Sequence, residues 1–414
     1  MLPWLVLAVP ALRGRGEDRS AALPRPAEPG VAGSRVVTFL VIAFLLVILA
    51  NVLMVAALAL DRPTWNYDAI CRWMFKARAF YADRSILPHL VDVERAVAQL
   101  HYPPLVPLDA TWIYLVLGRE DDRLVKIFFV AVYVAILLGT YGLARLRTSR
   151  VVAVGATALL SSVPALAFRD RPPGIAAHAA LADVPLALLT LLSLGLTVEA
   201  LRRKRRSLLL VAGVLGGFAM FTKQEGALVV AFGGAVVLGW ALRRRPGPRA
   251  ALSALAATLL AAVAVVAPWQ LSQSGVPMMH DLTQTMDLSL SNLLGNLARV
   301  PSIALRFLEE FARIDLWNLF WPIVGLSVLL APRMAWRNQS LLFFLLVAFH
   351  LLAFGTIFLL DAATYRTYEL WMDISLARLL QHVVPLATLV VALQAEGMLK
   401  AAYSSRGAPP AEGR

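Results

Sequence analysis

The sequence holds a single cysteine, Cys71, in 414 residues. That excludes an internal disulfide and any cysteine-cluster metal site. Charge is also scarce: Asp, Glu, Lys and Arg make up 16% of the chain, against 59% hydrophobic residues. A soluble core cannot hide that much apolar surface, and with a mean hydropathy of +0.70 the chain reads as an all-α polytopic membrane protein. Acids are scarcer than bases, 26 against 39. In a soluble protein that excess would suggest a nucleic-acid partner. Here the cations fall in short segments between apolar runs, which is the positive-inside pattern, so no nucleic acid is expected. No internal repeat is visible, whereas many transporters are built from repeated halves.

What is present is a succession of apolar runs: Val36–Leu60, Leu124–Ala144, Val151–Phe168, Leu186–Leu201, Ser207–Phe221, Ala227–Leu242, Ala250–Leu271, Leu316–Leu330, Leu341–Leu360 and Ala377–Ala395. They predict about ten membrane-spanning helices. Arginine-rich breaks at 145–150, 202–206 and 243–245 share one side, which the charge rule places in the cytoplasm together with both termini. Residues 1–35 read as a disordered cytosolic tail or an overextended gene start, 36–396 as the transmembrane domain, and 397–414 as a cytosolic tail. The outer loops are then 61–123, 169–183, 272–313 and 361–376. Residues 105–118 are apolar but too short to span, which suits a helix lying in the outer interface, and Leu288–Phe311 reads as an amphipathic helix.

One stretch stands apart. Asn66 to Tyr81 follows directly on the first span, yet it carries an acid, three cations and several rings. At 100° per residue Ala69, Ile70, Trp73, Met74, Ala77, Phe80 and Tyr81 share one face, while Asp68, Arg72 and Lys76 follow at i, i+4 and i+8 on another. The pattern predicts an interfacial helix with its rings toward the acyl boundary. Two readings of Asp68 stay open: it caps this helix, or it is a reactive carboxylate.

With this topology nearly all the unusual polar residues fall on the outer side: Asp68, Arg72, Lys76, His101, His178, Asp183, Lys223, Glu225, Arg378 and His382. Ionisable groups at membrane depth are costly, and point either to a site or to packing pairs between helices. Asp183 sits at the mouth of a span, where capping is its alternative role. Arg378 and His382, one turn apart, would share a face and could hold a phosphate, or Arg378 could simply snorkel to the interface. His350, mid-helix, reads as a packing residue.

The order of these features resembles the GT-C membrane glycosyltransferases, especially the bacterial members related to protein mannosyltransferases and the aminoarabinose transferase of lipid A. The residues carrying the resemblance are Tyr67-Asp68 after the first apolar helix, Tyr102-Pro103-Pro104-Leu105, Ala182-Asp183-Val184-Pro185-Leu186, Thr222-Lys223-Gln224-Glu225-Gly226 and Arg378-Leu379-Leu380-Gln381-His382-Val383-Val384-Pro385. It implies a donor of the polyprenyl-phosphate-sugar type and a glycan, lipid or protein acceptor, met at the outer face of the inner membrane. On that reading Asp68 is the catalytic or acceptor-orienting acid and Asp183 a supporting one. Lys223, Arg378 and His382 bind the donor phosphate, and Arg72, Lys76, His101, Tyr102, His178 and Glu225 contact acceptor or substrate. The chain departs from the family pattern in having one acid at Tyr67-Asp68 rather than a pair, which weakens the case for a divalent metal without removing it. The competing classes are a transporter or flippase of a lipid-linked sugar, and a non-catalytic polyprenyl-phosphate binder.

Overall fold

The computed structural model describes residues 35–88, 102–168, 175–273, 287, 289–360 and 367–406. His101, residues 89–100 of the first expected outer loop, residues 169–174 and most of the expected tails lie outside the described residues. No strand occurs among those described. The described residues open with α1 (Arg35–Asp61), a π-helical turn (Ala69–Met74) running into α2 (Phe75–Asp83), and α3 (Leu105–Leu117). A 3₁₀ turn leads into α4 (Ile127–Arg145), then come α5 (Arg150–Ser161), the short α6 (Pro164–Ala167), α7 (Asp183–Arg203), α8 (Arg206–Thr222), α9 (Gly226–Arg244) and α10 (Pro248–Ser272). The C-terminal part comprises α11 (Leu290–Gly295), α12 (Val300–Phe311), α13 (Ile314–Trp317), α14 (Phe320–Leu329), α15 (Pro332–Arg337), α16 (Ser340–Ile357), α17 (Tyr368–Gln381) and α18 (Val384–Arg406).

Seven helices among the described residues are long and apolar enough to cross a membrane. Three more of the expected spans appear as shorter helices, α5, α8 and α14. Proline explains one of them: Pro164 starts the separate α6, so the run expected from Val151 to Phe168 is broken after Ser161. The last expected span is also divided, because the chain turns at His382 and Val383 between α17 and α18. Beyond that break α18 continues to Arg406, so the first part of the expected C-terminal tail is helical. α3 matches the expectation of a short helix: its 13 residues extend about 20 Å, less than a hydrocarbon core.

The bundle is organised around α7. In its most apolar window 89% of residues are buried, against 11% for α1. α7 therefore packs on all sides, and α1 turns most of its surface outward toward the lipid. Helices in lipid gain little from hydrophobic burial against one another and associate by close packing of small residues. α8 shows this directly. A Cβ built on Gly213 would lie 2.4 Å from the Thr258 carbonyl oxygen, and one on Gly217 would lie 2.6 Å from that of Ala262. Glycine at both positions lets α8 and α10 touch backbone to backbone.

The stretch from Asn66 to Tyr81 differs from its expected form. Ala69, Trp73, Met74, Ala77 and Phe80 are buried in the protein core rather than facing an acyl boundary. The π-turn, in which the Phe75 N–H reaches back to the Ile70 carbonyl, uses more residues per turn than an α-helix and rotates everything after it. Lys76 consequently leaves the row begun by Asp68 and Arg72. It is 1% exposed and donates to the Tyr102 carbonyl oxygen at 3.0 Å.

Candidate functional site

The helix ends converge on one chain of alternating charge. Asp68 opens the π-turn, Asp183 opens α7, Lys223 closes α8, Glu225 precedes α9, Arg378 lies in the last turn of α17, and His382 follows it. Each group is thus placed by a terminus, where backbone hydrogen bonding leaves the chain free to turn.

Asp183 is fully buried and its oxygens are fully used. Oδ1 accepts from Lys223 Nζ at 2.9 Å and faces His382 Nε2 at 2.8 Å. Oδ2 accepts from both Nε and Nη2 of Arg378, at 3.0 and 2.9 Å. The remaining nitrogen of that guanidinium, Nη1, donates to Asp68 Oδ2. Asp68 Oδ1 in turn lies 3.4 Å from Arg72 Nε, and at the other end Lys223 Nζ reaches Glu225 Oε1 at 2.9 Å. Burial alone would push the Lys223 ammonium down, but Asp183 and Glu225 outweigh it and raise its pKa. Burial pushes Glu225 up, but Lys223, His382 and hydrogen bonding together outweigh it and lower its pKa. Three acids face three permanent cations along this chain, with His382 beside them.

The capping roles are not realised. Neither Asp68 nor Asp183 caps its helix through its side chain, and the Asp68 N–H is instead taken by Asn66 Oδ1 at 3.0 Å. Lys223, Arg378 and His382, expected to bind the donor phosphate, are all gripped by Asp183, a partner that sequence spacing alone does not supply. A phosphate could reach Lys223 or His382, 6% and 2% exposed at the side chain, only by displacing that grip. The open edge of the chain is formed by Asp68, Arg72, Arg378 and Glu225, with side chains 13%, 22%, 15% and 20% exposed.

Tyr102 lies within the electrostatic reach of Glu225, Lys223, Arg72 and Arg378, and burial raises its phenol pKa. Its ring packs edge-on against Trp73 with centroids 5.5 Å apart. His178 is not part of the chain. It is buried in the segment before α7, and burial, with Lys126 and Arg62 nearby, lowers its pKa to about 4. His350 is a packing residue as expected, wedged against Phe232 with centroids 4.4 Å apart. One residue was missed in the sequence: Gln381, whose amide donates to the carbonyl oxygens of Ala165 and Ile175, both at 2.9 Å. It ties the end of α17 to the segment that delivers Asp183. Its only signal was an amide set between Arg378 and His382 in an apolar run.

Among the described residues no group of three or more His, Cys, Asp or Glu is placed to hold a metal ion. Both oxygens of Asp68 face guanidinium groups, a donor set that does not suit a cation.

Residues 101–270 match the family model described as dolichyl-phosphate-mannose-protein mannosyltransferase. No curated protein matches the sequence. Among solved structures, the fold is similar to ArnT from Cupriavidus metallidurans in the apo state, with a TM-score of 0.55 and 15% identity over 88% of this chain. It is equally similar to the same protein bound to undecaprenyl phosphate, with a TM-score of 0.54 and 15% identity over 88% of this chain. The chain spans less than two thirds of the ArnT molecules it matches, 63% and 64%. The fold is the GT-C fold that the sequence led us to expect, and the family match falls on the segment carrying Tyr102, Asp183, Lys223 and Glu225.

Proposed function

We propose that the chain is a membrane glycosyltransferase that moves a sugar from a polyprenyl-phosphate donor to a glycan, lipid or protein acceptor at the outer face of the inner membrane. The observation carrying this reading is the continuous chain from Arg72 through Asp68, Arg378 and Asp183 to Lys223 and Glu225, with Asp68 and Arg72 at its open edge. A charged chain with an open edge at the helix ends suits a reaction in which one group loses a proton as another gains negative charge. The similarity to a structure bound to undecaprenyl phosphate supports a donor of that chemistry.

The acceptor nucleophile hydrogen-bonds to Asp68 and attacks the anomeric carbon. The bond between that carbon and the phosphate oxygen breaks, its electron pair leaves with the polyprenyl phosphate, and the acceptor's proton passes to the Asp68 carboxylate. Arg72, the cation least engaged by acids, meets the departing phosphate, with Arg378 behind it. Asp183 acts on neither reactant. It holds Arg378, Lys223 and His382 in place, which makes it a positioning residue. A transporter reading would place such groups near the bilayer midplane on broken helices, whereas these sit at the helix termini.

The test is sugar transfer from a radiolabelled polyprenyl-phosphate donor in membranes matched for protein content. Parental activity that disappears in Asp68→Asn, with donor lipid still retained in native mass spectrometry, supports the reading. Retained lipid without transfer by the parent itself, over a panel of acceptors, would leave a lipid-binding protein. Cys71 reports the orientation: a membrane-impermeant maleimide should label it from outside intact spheroplasts, and labelling only after the inner face is opened overturns the outer placement.

A further inference from the structure

A second buried charge cluster lies at the opposite end of α7. Glu199 is sixteen residues after Asp183 on the same helix, which is about 24 Å along its axis. Its carboxylate is ringed by three guanidinium groups. Arg147, just after α4, donates to Oε1 through Nε. Arg202 donates to Oε2 through Nε at 2.9 Å and Nη2 at 2.7 Å, and Arg203 Nε lies 3.4 Å from the same oxygen. One acid therefore offsets three cations. Two donors of this cluster, Arg147 Nη2 and Arg203 Nε, are buried without a hydrogen-bond partner among the described residues. An unmet guanidinium donor in a buried setting is costly, which makes the cluster avid for a further acceptor.

The surroundings say what kind of acceptor fits. Arg147 and Glu199 line a small gap with the buried residues Leu143, Ala144, Phe343, Leu389 and Leu393, contributed by α4, α16 and α18. The Arg147 guanidinium lies over the Phe343 ring, 5.7 Å from its centroid, and its side chain is 10% exposed. Arg202 and Arg203, at the other oxygen of Glu199, are 25% and 31% exposed. Excess positive charge at the ends of spanning helices is the arrangement that attracts anionic lipid headgroups.

We infer that the Arg147–Glu199–Arg202–Arg203 cluster is a binding site for an anionic glycerophospholipid, separate from the Asp68–Asp183 chain. The lipid phosphate sits against Arg202 and Arg203, the more exposed cations of the cluster. The lipid's acyl chains stay in the surrounding bilayer, since Leu143, Leu389 and Leu393 are buried in the protein core. Glu199 holds the three arginines together in the absence of lipid and limits the affinity when lipid is present. This site owes nothing to the proposed sugar transfer and would exist in a protein with no such activity.

The experiment compares the purified full chain in nanodiscs of phosphatidylcholine alone and of phosphatidylcholine mixed with phosphatidylglycerol. Native mass spectrometry reads which lipid stays bound when the disc is stripped. The parent should retain phosphatidylglycerol selectively, and Arg203→Gln should lose roughly fivefold in that selectivity. Glu199→Gln, which removes the internal competitor, should change it in the opposite direction. Arg243→Gln, at the end of α9, should leave it unchanged. Parental selectivity in Arg203→Gln, or an equal loss in Arg243→Gln, would reduce the cluster to a structural ion pair on a generally basic surface.

Discussion

Arg378 sends two of its nitrogens into a single oxygen of Asp183, Nε at 3.0 Å and Nη2 at 2.9 Å, across 195 residues of sequence. Its third nitrogen reaches Asp68, so one planar side chain sets the spacing between the two acids. Lysine carries the same charge but cannot make this fork. Arg378→Lys should lower transfer by roughly tenfold or more, because each charged hydrogen bond lost is worth about 1.5–3 kcal/mol. The check is transfer rate at saturating donor, and a parental rate would show that the spacing is set elsewhere.

Asp68→Asn keeps the shape of the side chain but cannot take a proton. Transfer should fall by roughly two orders of magnitude or more, while insertion and donor retention persist. Since the Asp68 side chain makes no capping bond, loss of a helix cap cannot account for such a fall. Near-parental turnover would remove Asp68 from the reaction.

Asp183→Asn should behave differently, with its main cost in folding. Removing that charge leaves Arg378, Lys223 and His382 around a neutral group at a site with no exposure. Breaking a buried pair from one side costs about 3–5 kcal/mol. The variant should lose thermal stability in detergent far more than Asp68→Asn does, and equal melting temperatures would show that the cations relax into other contacts.

Gly217→Val probes the seam that carries Lys223. Its Cβ would lie 2.6 Å from the Ala262 carbonyl oxygen and 2.7 Å from the Val265 Cβ, so α8 must move away from α10. Overpacking of this kind costs about 1–3 kcal/mol. Melting temperature and donor retention should both fall, whereas Gly142→Ala, where nothing lies within 4 Å, should change neither.

His178 gives a pH signature. Its pKa in the folded protein is lowered to about 4 by burial, below the roughly 6.5 of an unfolded histidine. The unfolded chain therefore binds the proton first. The contribution of His178 to stability is complete above about pH 6.5 and is lost as pH falls toward 4. A melting-temperature profile in detergent should be flatter over that window in His178→Gln than in the parent; superimposable profiles would place the proton elsewhere.

The all-helical membrane class was legible in the sequence because bilayer thickness fixes how long an apolar run must be. The arginine breaks and the polar residues at the helix ends were legible for a related reason: charge is cheap only at helix ends. Asp68, Asp183, Lys223 and Arg378 were therefore marked by composition alone. Their partners were not. The pairing of Arg378 with Asp183 depends on α17 ending beside the start of α7, and no local pattern encodes that distance. Lys76 shows the same limit on a smaller scale. Its place on the charged face followed from an ideal helical period, and one π-turn rotated it into the core, onto the Tyr102 carbonyl. The sequence determined which residues could not sit in lipid. Only the tertiary structure decided which opposite charges meet, because a buried ion pair is selected by packing between segments far apart in the chain.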